Sequence, residues 1–321
     1  MKLPPALMTT LDSLYGSELG FILKIFWSGV NKQIRKRMRV KILIQSKVDG
    51  PIAFCIVHWN APDFLLLTVR QIELLYPNNK IYVLDNGSQQ IHLASIKAEL
   101  KKFNNITLFS LLDPPKWAKK LRLDKLFEWQ THTAGLQFLL NYSAKQSDEI
   151  AVFLDQDCII STSIDALFSK FNKDIILIGA RDSWREHGWN KFIHASFMIL
   201  QPKRINKLFG NSSFYDKRTR SFNHWWGDPC TYHGLSLKAS GKILYLEPRK
   251  HEKIPLLTSY EYNNTTYAWH AWYSSRTVMI NAISLDGFSV SWLRNAIKLE
   301  YDFMTQVHKI TATELQNFHN K

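Results

Sequence analysis

The chain has 321 residues, 45% hydrophobic and 21% charged, a balance that excludes disordered and collagen-like chains. At this length folding buries about 75% of the surface that the unfolded chain exposes, so no disulfide staples are needed. Its three scattered cysteines, Cys55, Cys158 and Cys230, form no C-x-x-C pair and argue against a disulfide framework or a structural zinc site. Forty-one basic against 27 acidic residues give a net charge of +14, which implies an anionic partner such as a nucleotide, a nucleic acid or an acidic membrane surface.

Residues 1–48 read as a separate basic, amphipathic N-terminal segment. The apolar and aromatic run from Leu19 to Trp27 is followed by Lys32, Arg35, Lys36, Arg37, Arg39 and Lys41. Nine basic against two acidic residues place half of the net charge in this segment. Aromatic residues beside a basic cluster suit the interface of an anionic lipid surface; nucleic acid is not the expected partner. No run of 18 apolar residues follows, and the secretory pattern of basic, apolar and small-residue regions is missing. The expectation is a cytoplasmic chain, peripheral on the inner membrane face.

Residues 49–250 alternate strand and helix signals, the pattern of an α/β domain on a mainly parallel sheet. Ile52 to Val57 is an unbroken apolar run and predicts a buried strand. Pro62-Asp63 opens a helix with Leu65, Leu66, Val69 and Ile72 at helical spacing, stopped by Pro77. Lys80 to Leu84 is the next strand and ends in the turn sequence Asp85-Asn86-Gly87-Ser88. A helix over 91–103, a strand over 106–111, a basic loop from Lys116 to Lys125 and a helix over 126–142 follow. Ile150 to Leu154 is a strand ending in Asp155-Gln156-Asp157. Strands near 175–180 and 193–200, a helix opening at Pro202 and a strand over Ile243 to Leu246 complete the unit. Residues 251–321 are less regular, hold Trp269-His270-Ala271-Trp272 and predict a helix near 291–308. They read as a C-terminal helical extension that completes the active site.

Open parallel sheets bind ligands at the carboxyl ends of their strands. Three strands here end in polar groups: Trp59-Asn60, Asp85, and Asp155 with Asp157. A G-x-G-x-x-G loop and a Walker A loop are both missing, which disfavours a dinucleotide site and a P-loop NTPase. Two carboxylates two residues apart leave a strand on the same side. They suit one hard divalent cation, Mg2+ or Mn2+, that bridges a diphosphate. Solvated loop acids are the plainer alternative.

The residues Ile56-Val57-His58-Trp59-Asn60-Ala61-Pro62-Asp63, Val83 to Ser88, and Val152-Phe153-Leu154-Asp155-Gln156-Asp157 together resemble family 2 glycosyltransferases of the GT-A fold, in their rhamnosyltransferase-like Asp-Gln-Asp subgroup. His194 to Leu200 with Pro202-Lys203-Arg204 is similar to the strand–helix unit before that family's catalytic acid, and Gly227-Asp228 to the segment holding its base. The resemblance covers about residues 50–250. It implies a twisted sheet with helices on both faces. It also implies donor contacts at His58, Trp59, Asn60, Asp85 and Asp155, a cation on Asp157 and Asp155, and Asp228 as general base, with Asp216 and Asp182 as alternatives. Members with this layout invert the anomeric centre.

Trp225 and Trp226 flank Asp228; their indole faces suit the C–H surface of an acceptor sugar. Asp228-Pro229 also suits a helix N-cap. The resemblance implies His270 as a third cation ligand, while an aromatic packing cluster with a surface histidine remains open. Arg276 suits a diphosphate as a bidentate donor. The expected function is transfer of a sugar from a nucleoside diphosphate sugar to a hydroxyl of a glycan or glycolipid, in cell-surface polysaccharide or lipopolysaccharide synthesis. A nucleotidyltransferase, or a non-catalytic sugar- or nucleic-acid-binding protein, is the alternative. The oligomeric state is not legible in the sequence.

Overall fold

Strands covered on both faces read as continuous apolar runs, and that pattern recurs along this chain. The computed structural model describes residues 40–59, 61–111, 132–181, 192–210, 233–250 and 257–271. In chain order these form β1 (Val40–Ile44), β2 (Ile52–His58), α1 (Pro62–Leu75), β3 (Lys80–Asp85), α2 (Gln90–Leu100), β4 (Ile106–Leu111) and α3 (His132–Lys145). Then come β5 (Ile150–Asp155), β6 (Cys158–Ile160), α4 (Asp165–Phe168), β7 (Leu177–Arg181), β8 (Ile193–Leu200), α5 (Pro202–Phe209), α6 (His233–Lys238), β9 (Ile243–Lys250), β10 (Leu257–Tyr262) and β11 (Thr265–Ala271).

The strands make one sheet in the order β1-β4-β3-β2-β5-β8-β7-β9-β10-β11-β6. Parallel pairing, expected from the strand–helix alternation, holds across β4, β3, β2 and β5 and between β7 and β9. The remaining neighbours run antiparallel, so the sheet is mixed. Side chains alternate across it with the period of a strand. Phe54, Ile56, Val152 and Leu154 face a core built with Leu65, Leu66, Val69 and Ile72 of α1 and with Ile96 and Leu100 of α2. Ala53, Cys55, Ala151 and Phe153 face the opposite core, with Leu136, Leu139 and Leu140 of α3, Ile205 of α5 and Leu235 of α6. Helices therefore cover both faces, as the sequence predicts. Gly135 lets α3 approach closely, since a Cβ there would lie 3.0 Å from both Val57 methyl carbons.

The sheet runs through two places where the sequence suggests an end. β1 lies within the expected N-terminal segment and pairs with β4; its half-exposed pattern with Lys41 hides the strand signal. Beyond residue 250, β10 and β11 form a hairpin turning at Asn263 and Asn264, with φ of 49° and 61°. Two consecutive left-handed residues make a two-residue turn that matches strand twist. β9 connects the two parts: Ile243 to Leu246 pair with β7, and Glu247 to Lys250 pair with β10. The predicted helix near 291–308 and the loop at 116–125 lie outside the described residues. Among the described residues no helix is long and apolar enough to cross a membrane.

Candidate functional site

The carboxyl ends of β3, β2 and β5 lie side by side in that order. His58 is in register with Asp85, and Val57 with Asp155. β5 ends at Asp155, turns through Gln156 and Asp157, and returns as β6, which pairs with β11 so that Cys158 faces His270 across the ladder. One backbone pairing thus carries a histidine from far along the chain to the second aspartate of the triplet.

Asp155, Asp157 and His270 converge there, with one ligand atom from each within 4.8 Å of the others. His270 Nε2 lies 3.4 Å from Asp157 Oδ1 and 3.7 Å from Asp155 Oδ2. The imidazole is buried, with its side chain 4% exposed, whereas those of Asp155 and Asp157 are 20% and 13% exposed, so the cluster is open on the carboxylate side. His132, the first residue of α3, adds its Nε2 at 3.2 Å from Asp155 Oδ1. Burial opposes ionisation of Asp155. The His132 hydrogen bond and the imidazoles of His132, His270 and His194 outweigh it and hold this carboxyl well below the usual range. Burial also works against charge on His270, but Asp157 and then Asp155 prevail and raise its pKa. Two carboxylates and an imidazole within this span fit a small divalent cation, whose opposite ligands lie roughly 4 Å apart. Oxygen donors with one nitrogen suit Mg2+ or Mn2+.

A second group of polar atoms lines β2 and β3. Asp85 is buried; its Oδ2 accepts the Ser88 N–H at 3.3 Å, while Oδ1 has no hydrogen-bond partner among the described residues. Gly87, at φ 82°, makes the tight turn that folds residues 86–88 back over Asp85. Burial raises the Asp85 pKa, countered by hydrogen bonds from Ser88 and Gly87. His58 is fully buried and neither ring nitrogen makes a hydrogen bond of good geometry among the described residues. Burial lowers its pKa to about 4, against a smaller opposing effect of the nearby Gln156 amide and a further lowering by His92. The ring is therefore neutral at physiological pH.

Trp59 is 61% exposed at the rim. Gln156 Oε1 accepts its backbone N–H at 3.0 Å, and Gln156 Nε2 donates to its carbonyl at 3.3 Å. The amide thus continues the β2–β5 pairing one residue past the strand end. Thr68 Oγ1 of α1 donates to the Gln156 carbonyl at 2.8 Å, fixing the turn from the other side.

Of the site residues read from the sequence, the structure brings together Asp155, Asp157 and His270, and sets His58 beside Asp85 with Trp59 next to them. Asn60, Asp182, Asp216, Trp225, Trp226, Asp228 and Arg276 lie outside the described residues. Sequence reasoning missed His132, Tyr260 and Ser196. His132 stands in the sequence with no motif around it, so no local signal marks it.

No protein-family model matches the chain, and no curated protein matches it. It is similar in structure to the galactosyltransferase LgtC in complex with donor and acceptor sugar analogs, at 16% identity over 60% of this chain and 73% of that one, TM-score 0.41. It is also similar to the glycosyltransferase GlyE of Streptococcus pneumoniae TIGR4, at 13% identity over 63% and 45%, TM-score 0.41. The mannosyltransferase PcManGT from Pyrobaculum calidifontis, in complex with GDP-Man and Mn2+, matches at 11% identity over 89% and 84%, TM-score 0.37.

Proposed function

We propose that the chain is a divalent-cation-dependent, inverting glycosyltransferase that moves a sugar from a nucleoside diphosphate sugar to a hydroxyl of a glycan or glycolipid. The observation that carries the reading is the convergence of Asp155, Asp157 and His270 at the carboxyl end of a sheet strand, on the same edge of the sheet as a buried Asp85 whose Oδ1 has no hydrogen-bond partner among the described residues. A buried polar atom without a partner costs about 1–3 kcal/mol, and a ligand hydroxyl or N–H placed there removes that cost. In this reading Asp85 and the neutral His58 receive the nucleoside, with Trp59 as a face for stacking. GT-A family 2 membership with the Asp-Gln-Asp subgroup remains part of the proposal and rests on the sequence motifs.

Asp155, Asp157 and His270 would hold a divalent cation, which would supply positive charge against that developing on the departing diphosphate. The acceptor oxygen forms a bond to the anomeric carbon from the face opposite that leaving group. The bond from that carbon to the diphosphate oxygen breaks, and its electron pair leaves with the diphosphate. The acceptor proton passes to a carboxylate on the attacking side, which is Asp228 in this reading, with Asp216 and Asp182 as alternatives. Trp225 and Trp226 receive the acceptor, and Arg276 the diphosphate. The basic N-terminal segment, residues 1–48, holds the protein at an anionic membrane face; loss of sedimentation with anionic vesicles on removing residues 1–38 is the measurement for that part.

The central test is calorimetry of nucleoside diphosphates with and without Mn2+. The wild-type chain binds one of UDP, GDP, dTDP or CDP in a Mn2+-dependent manner, and Asp157→Asn removes the dependence. Metal-dependent affinity that survives in Asp157→Asn overturns the cation assignment.

A further inference from the structure

A line of hydrogen bonds runs inward from His270, away from the carboxylates. His270 Nδ1 lies 3.0 Å from the Tyr260 hydroxyl, that hydroxyl 2.7 Å from Ser196 Oγ, and Ser196 Oγ 2.8 Å from His194 Nδ1. Tyr260 and Ser196 are both fully buried. A hydroxyl can turn its proton either way, so the line has two possible directions, and its far end decides between them. His194 Nδ1 accepts the backbone N–H of Ser196 at 3.1 Å. A backbone proton has no rotational freedom, so this nitrogen presents a lone pair. Ser196 Oγ must then donate to it, because two lone pairs facing each other at this distance repel. With the serine proton committed, Tyr260 donates to Ser196 Oγ. The Tyr260 oxygen is left as an acceptor, and His270 Nδ1 carries the proton that it accepts.

The backbone supplies the anchor. Between Ile193 and Met198 the register of β8 against β7 slips, so that residues 194–197 lie opposite Ala180 alone. The bulge turns the Ser196 N–H to the His194 ring. Tyr260 reaches the line from β10, the hairpin partner of the strand that carries His270.

We propose that Tyr260, Ser196 and His194 are positioning residues that fix His270 as the Nδ1–H tautomer and so aim an Nε2 lone pair at a divalent cation between Asp155 and Asp157. The inference rests on the cation reading of the site. A ligating imidazole needs its second nitrogen held in this way, and loss of such a partner typically lowers metal affinity about 10- to 100-fold.

The test uses the full chain labelled with 15N-histidine, with imidazole nitrogen shifts and couplings read by NMR in the absence of metal, and Mn2+ affinity read by electron paramagnetic resonance. In the wild type, Nδ1 of His270 is protonated. In Tyr260→Phe that nitrogen loses its acceptor, the neutral ring moves to the Nε2–H form facing Asp157, and Mn2+ affinity falls about 10-fold or more. Ser196→Ala keeps the Tyr260 packing and removes the next link, so it gives a smaller fall in the same direction and covers the case in which Tyr260→Phe folds poorly. A bare Nδ1 in the wild type overturns the relay, as does unchanged Mn2+ affinity in both variants. A protonated Nδ1 in a wild-type chain that ignores Mn2+ supports the tautomer and overturns the cation reading alone.

Discussion

His58 ends β2 with its ring fully buried, and that burial makes stability depend on pH in a way that can be calculated. In the unfolded chain the ring takes a proton near pH 6.5, in the folded protein only near about 4. Between these values the unfolded state binds more protons, so folding stability falls as pH falls. A separation of about 2.5 units corresponds to about 3.4 kcal/mol when fully developed, and to about 2 kcal/mol at pH 5. Little of it is present at pH 7.5, where both states hold the neutral ring. Other groups titrate in the same range, so the measurement is a difference: urea unfolding of the wild type and of His58→Gln, each at pH 7.5 and 5.0. The wild type loses about 2 kcal/mol more than the variant on acidification. Equal losses in the two proteins would refute the claim that His58 is held neutral by burial, and with it the neutral ring assigned to the nucleoside.

Gln156→Ala removes both amide contacts to the Trp59 backbone while leaving the three candidate cation ligands in place. At about 0.5–1.5 kcal/mol for each of the two hydrogen bonds, nucleoside diphosphate affinity falls by up to about 5- to 150-fold and Mn2+ affinity in the absence of nucleotide is unchanged; calorimetry separates the two. Mn2+ and a proton compete for His270 Nε2, whose pKa lies above 6.5. Cation affinity therefore rises with pH, by at least about fourfold between pH 6.0 and 8.0, and a flat profile by paramagnetic resonance would remove His270 from the ligand set.

Much of the central sheet is legible in the sequence because it depends on local order. The strands over 52–57, 80–84 and 150–154 are apolar runs bounded by turn residues, and Pro62 and Pro202 mark helix starts, so burial on two faces and backbone chemistry alone predict them. Asp85, Asp155 and Asp157 follow from the same logic, as acids at the ends of buried strands. β1, β6 and the β10–β11 hairpin escaped, though Asn263-Asn264 between two strand-like runs was a hairpin signal open to reading.

The sequence names His270 only through the family resemblance; what the tertiary structure decided is how the second half of the site is brought to the first. His270 meets Asp157 because β11 pairs with β6 in a register that sets Cys158 against His270, and register between distant strands is a property of the folded sheet. His132 reaches Asp155 through the packing of α3, and His194, Ser196 and Tyr260 align through a bulge and a hairpin that no periodicity encodes. A carboxylate at a strand end needs only its neighbours in the chain; a hydrogen-bonded line across three strands needs the geometry that brings them together.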